Sequence, residues 1–421
     1  MEQPGWKEWL LVIAAGVLTL SVIVTGTLAL YLTVKMNPPG GTAAGRPGGG
    51  GNEDAAAIVT LDTTDTGGQT SPTTPTLTAA DGPRLAYTSR AAGSNDAEAH
   101  IQIIPVTTQG DGEPRSFSTP GQTVALYPSW SPDGTRIAYI TLADLPTQRT
   151  APPATFWVST ADGSRHIPVA QTISNTTFIR PTWSPDGTRL AFASERDSGS
   201  LLHIAHADGS GIERQIGLPW PILSVAWSPT QDELLIIGGD PRGQTAAYLI
   251  SVDGSEVVEL HANVLGADWM SDGHSVVVGD YATQEVLRIG VASVRQGEGE
   301  PVAVRIATLA MSPLEIAVSP DGTYIAVASA GHHRQRYATA MEVIHVTAAD
   351  SGAVTTISEG QGWVDWPDWS PDGRLAFTLG ELVISAGWPP ADLWLYDPAT
   401  GYLDAITTAP GFEGLADWSP R

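Results

Sequence analysis

Few residues in this chain have the types and spacing that catalysis or metal binding requires. His203 and His206 come nearest to a paired metal ligand. A spacing of three on an extended strand places them on opposite faces, so we expect ordinary packing or surface roles for both. The sequence has no G-x-S-x-G, H-E-x-x-H or phosphate-loop pattern, and it contains no cysteine. It therefore predicts no catalytic residue, no metal ligand, no cofactor and no enzymatic activity.

Aspartates that recur at equivalent positions are a second chemical candidate. They are Asp133, Asp186, Asp272, Asp321 and Asp372. Equivalent carboxylates around a ring could in principle face a cation near its axis. Turn stabilisation is the favoured interpretation, because an aspartate at this position of a turn can accept hydrogen bonds from its local backbone.

These aspartates belong to a repeated W-S-P-D-G motif. Intact copies begin at Trp130, Trp183 and Trp369. Degenerate copies begin at Trp227, Trp269, Val318 and, at the end of the chain, Trp418. Proline presets φ for a type I turn and glycine takes the following left-handed position, so the motif predicts a tight hairpin turn.

Short apolar strands surround each turn. A strand such as 136–140 follows the motif, and a further strand then ends in Asp-Gly-Ser at Asp162, Asp208 or Asp253. One repeat of about 50 residues thus contains four short antiparallel strands, which is typical of a β-propeller blade. We expect the motif tryptophans to pack between neighbouring blades.

The two ends of the repeat region carry complementary fragments of one blade. Residues 416–420 supply an inner strand, and residues 81–87 supply the strand that should follow it. Joining them leaves no open sheet edge between the first and last blades. The sequence therefore predicts an all-β, seven-bladed propeller of four-stranded antiparallel blades over residues 81–421, closed by a clasp of the N- and C-terminal strands.

The repeat closely resembles the TolB-type WD40-like repeat, or PD40 repeat, with the consensus W-S-P-D-G-x-x-I-A-[FY]. The resemblance covers residues 81–421. It implies an extracytoplasmic propeller that binds other proteins. Similar blades also form accessory domains of serine peptidases of the prolyl oligopeptidase group. The motif residues are scaffold, so the resemblance transfers a fold without an active site.

The N-terminal region predicts a membrane anchor. Residues 9–34 are uncharged and rich in Leu, Val and Ile, long enough for one transmembrane helix after a short cytoplasmic tail of residues 1–8. A cleavable signal peptide is the alternative, but its apolar region would be only about 7–15 residues long. A lipoprotein is excluded because the chain has no cysteine to acylate.

Residues 35–80 are rich in Gly, Thr and Pro and predict a disordered linker. Positive charges flanking the span nearly balance, so they do not decide the topology. The linker composition, the TolB-like repeat and the signal anchor favour a cytoplasmic N-terminus and an extracytoplasmic propeller in a single-pass membrane protein.

Net charge limits the partners. The chain carries 45 acidic and 21 basic residues, a net charge of −24. Such a protein repels nucleic acid, so no nucleic-acid partner is expected.

Candidate binding residues come from the loops at the propeller end opposite the W-S-P-D-G turns, which we term the loop-rich end. Variable loops on a rigid scaffold commonly carry recognition, and exposed Trp and Arg dominate binding hot spots. The predicted binding residues are Trp220, Trp363, Trp366, Trp388, His333, Arg334, Arg336 and Tyr337. The alternative is that several of these aromatics fold back to close the channel or cover the blade ends.

Three functions are consistent with the sequence. The favoured one is a non-catalytic module that binds or scaffolds a protein or peptide, with a cell-envelope component as one candidate. The second is a propeller that binds a small molecule or glycan by stacking on Trp220 or Trp388. The third is a hydrolase or lyase with a polar central pocket, for which the sequence offers no convergent acid, base and nucleophile. The chain also ends with the propeller, so no appended hydrolase domain is expected.

Overall fold

The computed structural model describes most of the repeat region. The described residues are 82–91, 99–107, 110–117, 119–120, 124–142, 153–172, 179–196, 199–239, 244–295, 301–333, 338–346, 352–381 and 389–420. The predicted tail (1–8), membrane helix (9–34) and linker (35–80) lie outside them. Within the described ranges, no helix is long and apolar enough to cross a membrane.

Strands make up most of the described chain. The first half contains β1 (Arg84–Ala91), β2 (His100–Thr107), β3 (Gly110–Asp111), β4 (Arg115–Ser116), β5 (Val124–Trp130), β6 (Arg136–Leu142), β7 (Ala154–Thr160), β8 (His166–Thr172), β9 (Thr182–Trp183), β10 (Arg189–Arg196), β11 (Gly199–His206), β12 (Ile212–Leu218), β13 (Ile222–Trp227) and β14 (Glu233–Gly239).

The second half contains β15 (Thr245–Ser251), β16 (Val257–Ala262), β17 (Val264–Trp269), β18 (Ser275–Asp280), β19 (Glu285–Gly290), α1 (Ala292–Arg295), β20 (Ala303–Thr308), β21 (Ser312–Val318), β22 (Tyr324–Ala330), β23 (Ala338–Val346), β24 (Gly352–Trp369), β25 (Leu375–Gly380), β26 (Ala391–Asp397), β27 (Tyr402–Ala405) and β28 (Gly411–Trp418).

Four-stranded antiparallel sheets are the unit of the fold. Strands β5–β8, β9–β12, β13–β16 and β17–β20 form four separate sheets, each built from consecutive strands. The other strands form one continuous network. In it, β21, β22 and β23 pair in succession, β23 pairs with the first part of β24, and the second part of β24 pairs with β25. The architecture is therefore all-β and propeller-like.

The predicted pairing of the first and last strands is present. Strand β28 pairs antiparallel with β1, with Trp418 opposite Leu85, and β1 continues through β2 to β4. The same sheet thus combines the C-terminal inner strand with three N-terminal strands.

The W-S-P-D-G turns have the geometry that the sequence predicts. Asp186 accepts a hydrogen bond from the Ser184 hydroxyl at 2.6 Å and another from the Thr188 backbone N–H at 3.0 Å. Gly187 has a φ of 66°, in the left-handed region that favours glycine. Equivalent contacts occur at Asp133 and Asp321, so turn stabilisation accounts for these aspartates.

The core lies between adjacent sheets. Phe156 and Phe192, from neighbouring sheets, stack with centroids 4.0 Å apart. The motif tryptophans are buried, as expected. Arginines of the preceding sheet cover four of them, as Arg136 covers Trp183, and Tyr324 stacks on Trp369. His203 is also buried and contacts the Ser194 hydroxyl at 2.8 Å, which agrees with a packing role. Burial lowers the pKa of His203 to about 4.

Candidate functional site

Trp220 lies between β12 and β13 at the loop-rich end. Its ring stacks on Tyr248 with centroids 4.4 Å apart and covers Gly238, where a Cβ atom would come within 2.4 Å of the indole. The side chain remains partly exposed. Trp220 therefore presents an aromatic surface held by a rigid sheet.

Trp363 occupies a different environment from the one expected. Its side chain is only 1% exposed, and its ring lies against Gly380 and stacks with Phe412 at 6.5 Å. The prediction that Trp363 is exposed at the loop-rich end is therefore wrong. The ring packs inward because the glycine leaves space for it between two sheets.

Trp366 is partly exposed and close to the ring axis. Its φ of 51° lies in the left-handed region, and its backbone N–H donates to Glu315 Oε2 at 2.7 Å. Its ring makes edge contacts with Trp363 at 6.0 Å and Phe412 at 6.3 Å. Both the backbone and the ring of Trp366 are thus fixed by their neighbours.

His333 belongs to an aromatic stack at the loop-rich end. Its ring lies 4.3 Å from Tyr281 and 4.4 Å from His332, and His332 is exposed. The structure thus places Trp220 and His333 in separate aromatic stacks. Of the other predicted binding residues, Trp388, Arg334, Arg336 and Tyr337 lie outside the described residues.

A second group of chemically capable residues lies at the axis of the ring. Neighbouring inner strands contact each other in the pairs β5–β9, β9–β13, β17–β21, β21–β24, β24–β28 and β28–β5. The third residue before the motif aromatic position recurs in the inner segment of each repeat. The residues at this position are Tyr127, Arg180, Ser224, Gly266, Glu315, Trp366 and Leu415. We term Arg180, Asp268, Glu315, Asp365, Asp368 and Asp417 the axial cluster.

Arg180 reaches across the axis to the last strand. Its Nη1 atom donates to Asp417 Oδ1 at 3.0 Å, and its Nη2 atom donates to the Ala416 carbonyl oxygen at 2.5 Å. The side chains of Arg180 and Asp417 are 29% and 17% exposed, respectively. This ion pair links the β9 inner segment to β28 and also helps to hold the C-terminal strand in the ring.

Axial aspartates also connect neighbouring inner strands. Asp417 Oδ2 accepts the Trp130 N–H at 2.6 Å, Asp268 Oδ2 accepts the Val318 N–H at 2.9 Å, and Asp368 Oδ2 accepts the Trp418 N–H at 2.8 Å. Each aspartate immediately precedes the motif aromatic position of its own sheet.

Where a small side chain precedes that position, the next tryptophan bonds differently. Its indole N–H then donates to the backbone carbonyl of Ser129, Ala226 or Ala317. Neighbouring sheets are thus joined either by an axial aspartate that accepts a backbone N–H or by an indole N–H that donates to a backbone carbonyl.

The axial carboxyl groups are electrostatically unusual. Burial raises the pKa of Asp268 and Asp417 to about 7 and that of Asp368 to about 6. The Arg180 guanidinium opposes this rise at Asp368 and Asp417. Perturbed pKa values in a concave site are a feature of functional residues.

Glu315 and Asp365 form an acid pair in this cluster. Their side chains hydrogen-bond each other, and burial raises the pKa of both, with repulsion from Glu315 adding to the rise at Asp365. Two such carboxyl groups favour sharing one proton over ionising together. The pair could therefore bind a cation or donate and accept a proton.

A metal site is not supported here. Among the residues that the structure describes, no three His, Asp or Glu side chains form a group that could hold a metal ion.

The sequence interpretation missed the axial cluster, because Arg180 and Glu315 are single residues 135 positions apart. Aligning the repeats and comparing the third residue before each motif aromatic position would have identified both of them.

Comparisons with known proteins support the fold. Residues 75–300, more than half of the chain, match the family model described as "TolB beta propeller domain". Among solved structures, the periplasmic gluconolactonase PpgL of Pseudomonas aeruginosa has a TM-score of 0.56 at 13% identity, covering 80% of this chain and 99% of that one.

TolB from Acinetobacter baumannii has a TM-score of 0.48 at 13% identity, covering 80% of this chain and 67% of that one. A curated relative, the uncharacterised peptidase YuxL of Bacillus subtilis strain 168, is 26% identical over 203 residues. This match covers 47% of the chain but only 28% of YuxL. Together, the repeated turns, the four-stranded sheets and the match to the family model show that the chain belongs to the TolB beta-propeller (PD40) family.

Proposed function

We propose that this chain is a binding propeller that recognises a protein or peptide at its loop-rich end and has no catalytic activity of its own. The observation that carries this proposal is the presence of partly exposed aromatic side chains at that end, in loops that follow rigid strands. Trp220 stacks on Tyr248, and His333 stacks on Tyr281 and on the exposed His332, so both rings are held by their neighbours. Such rings bind with little loss of conformational entropy.

The proposed setting is the outer side of a membrane. Residues 9–34 have the length and hydropathy of a signal anchor, and residues 35–80 have the composition of a flexible tether. We infer a cytoplasmic N-terminus and an extracytoplasmic propeller, with a cell-envelope protein as the partner class.

The proposed propeller has seven blades. Four separate sheets, the two sheets that share β24, and the sheet that joins β28 to β1, β2 and β4 support this number. Pairing of β28 with β1 supports a closed ring, in which the loop-rich end is a stable platform.

Crosslinking of the full-length tagged chain in intact cells, followed by mass spectrometry, tests the binding function. We expect a specific envelope protein to be captured, and we expect Trp220→Ala to reduce its recovery. Tyr402→Ala is the matched control, because Tyr402 is an aromatic residue 55% exposed on the distant outer strand β27. Melting temperatures of both variants must remain near that of the parent. Equal capture by all three proteins would contradict a role for Trp220.

A hydrolase or lyase is the second candidate, and the Glu315–Asp365 pair favours it. One carboxyl group held protonated beside an ionised one can serve as general acid and general base. The likeness to gluconolactonase, at 13% identity, concerns the fold alone. Incubating the purified chain with lactone, ester and peptide substrates tests this candidate. Turnover that disappears in Glu315→Gln would support it and would displace the non-catalytic proposal.

A further inference from the structure

Charge is unbalanced at the axis of the propeller. Five carboxyl groups of the axial cluster, on Asp268, Glu315, Asp365, Asp368 and Asp417, accompany one basic residue, Arg180. Two guanidinium nitrogens of Arg180 are already committed to Asp417 and to the Ala416 carbonyl. Arg180 still lowers the pKa of Glu315, but no described cation acts in the same way on the pKa of Asp365.

Asp365 provides an independent indication of a ligand. Its side chain is 3% exposed, and apart from the Glu315 carboxyl group its Oδ2 atom has no hydrogen-bond partner among the described residues. The carboxyl group faces Glu315, which retains partial exposure at the axis. A buried carboxylate oxygen without a donor destabilises the fold, so this atom marks a position where a donor belongs.

An aromatic wall lies beside this oxygen. Trp366 follows Asp365 directly, its N–H is held by Glu315 Oε2, and its partly exposed ring is braced by Trp363 and Phe412. An indole face attracts organic cations through its quadrupole. Trp366 thus supplies a second kind of cation recognition next to the acid pair.

We propose that Glu315 and Asp365 bind the ammonium or guanidinium group of a ligand at the axis, with Trp366 alongside. N–H donors satisfy both the unpartnered oxygen and the excess negative charge. No described group of three acidic or histidine side chains could hold a metal ion, which favours an organic cation. The inference rests on the proposed binding function and identifies the chemistry of the group that is bound.

Two sources could supply such a group. It belongs either to a free small amine or to a lysine or arginine side chain of a protein partner. The inference is the same for both, and the choice of probe separates them.

The site also has a predicted cost to folding. Burial and mutual repulsion disfavour the ionised forms of Glu315 and Asp365, and a bound cation would restore them. Neutral, isosteric substitution should therefore stabilise the free protein while weakening cation binding. A purely structural pair would lose stability instead. The titratable and charged groups that interact with this pair are Tyr127 and Arg180. Asp268, Asp368 and Asp417 are the other carboxyl groups of the axial cluster.

Thermal shift and calorimetry on the full chain test the proposal. The probes are n-butylammonium chloride and methylguanidinium chloride, with NaCl and CaCl₂ as controls at matched ionic strength. We expect a saturable rise in melting temperature with the organic cations only. Proton release should appear as a binding enthalpy that changes with the buffer, since binding ionises the carboxyl pair.

Three variants make the test specific. Glu315→Gln and Asp365→Asn should each weaken butylammonium binding by about tenfold or more and should raise the melting temperature without ligand. In Glu315→Gln the amide oxygen can still accept the Trp366 N–H. Glu259→Gln, on the exposed outer strand β16, makes the same chemical change away from the axis and should alter neither quantity.

The source of the cation is tested with N-acetyl-lysine-N-methylamide. Binding at least as tight as that of butylammonium would identify a polypeptide side chain as the ligand group. Binding of butylammonium alone would identify a free amine. Both outcomes support the acid pair as an organic cation site.

Other outcomes would overturn the inference. These are no response to any organic cation, equal binding by the parent and both axial variants, or a larger response to Ca²⁺ than to the amines. Partner capture that depends on Trp220 but not on Glu315, with no amine binding, would reject this inference alone. If partner capture is unchanged in every variant, the proposed function is rejected instead.

Discussion

Aspartates occupy two opposite environments in this propeller. At the turns, Asp186 accepts hydrogen bonds from Ser184 and Thr188, and these bonds lower its pKa to about 2. At the axis, burial raises the pKa of Asp268 and Asp417 to about 7. One residue type is therefore stabilised as an ion in the first region and disfavoured as an ion in the second.

The difference separates scaffold from candidate site. A turn aspartate repeats because each hairpin needs the same local hydrogen bonds. An axial carboxyl group costs the fold desolvation energy, although it also joins neighbouring strands. Costly titratable groups at a concave site are candidates for binding or chemistry. Turn aspartates can thus be explained by folding alone, whereas the Glu315–Asp365 pair is a candidate for binding.

The largest expected effect on the free energy of unfolding comes from Trp363, whose ring braces Trp366 beside the axial acids. Trp363→Ala should lower the free energy of unfolding by about 3–5 kcal/mol, because it removes a fully buried ring. Urea denaturation measures the change. Trp366→Ala is the control from the same cluster and should cost less, since that ring is partly exposed. A loss below about 1 kcal/mol for Trp363→Ala would show that the Trp363 ring is not tightly packed in the core.

A smaller loss is expected at the Asp417 link. Asp417→Ala leaves the Trp130 N–H and the Nη1 atom of Arg180 without their acceptor, and we expect a loss of about 2–3 kcal/mol, reduced by partial exposure. Asp417→Asn should lose less, because the amide oxygen can still accept the Trp130 N–H. Denaturation at pH 8 compares the two variants. Equal losses would indicate that the ion pair, rather than the backbone contact, dominates.

Opposite pH responses are expected from the two regions. For a turn aspartate with a lowered folded pKa, stability is present above the unfolded value of 3.8 and is lost as pH falls towards about 2. For Asp268, with a folded pKa of about 7, the folded state binds more protons than the unfolded state between 3.8 and about 7. The axial contribution is therefore greatest at low pH and is lost as pH rises through about 7.

Denaturation at pH 5 and pH 8 measures the axial contribution. We expect lower stability at pH 8, with about 1–2 kcal/mol of the difference removed by Asp268→Asn after allowing for solvent screening. Asp162→Asn, at an exposed turn, should leave that difference unchanged. A parent protein that gains stability between pH 5 and pH 8 would contradict the raised axial pKa values.

The smallest effect is expected at a single turn. Asp186→Ala should cost about 1 kcal/mol, because it removes short hydrogen bonds at an exposed site. Asp186→Asn should cost less, since an acceptor oxygen remains. Melting temperature gives the comparison. A loss as large as that of Asp417→Ala would remove the distinction between the two regions.

Local features were predictable from the sequence because short-range chemistry determines them. The glycine of each W-S-P-D-G turn takes a positive φ, as Gly187 does, and the adjacent serine and aspartate bond within the turn. The pairing of β1 with β28 was also predictable, since the chain ends carry complementary fragments of one repeat. Burial of the motif tryptophans followed from their recurrence at one position.

Side-chain direction near the axis was not predictable in the same way. Trp363 and Trp366 are three residues apart on the same strand, a spacing that alternation assigns to opposite faces, yet their rings contact each other and both contact Phe412. A register shift between Asp365 and Asp368 and the positive φ of Trp366 interrupt the alternation of strand faces. No alternation rule could therefore assign the direction of either ring.

The repeat by itself determined the fold class, the turns and the strand pairing, because those depend on residues within about 50 positions of one another or on matching repeat ends. Only the tertiary structure decided which charged side chains come together. Arg180 and Asp417 are separated by 237 positions, and Glu315 and Asp365 by 50. Ring closure brings their strands around one axis, and burial at that axis then gives ordinary acids their raised pKa values.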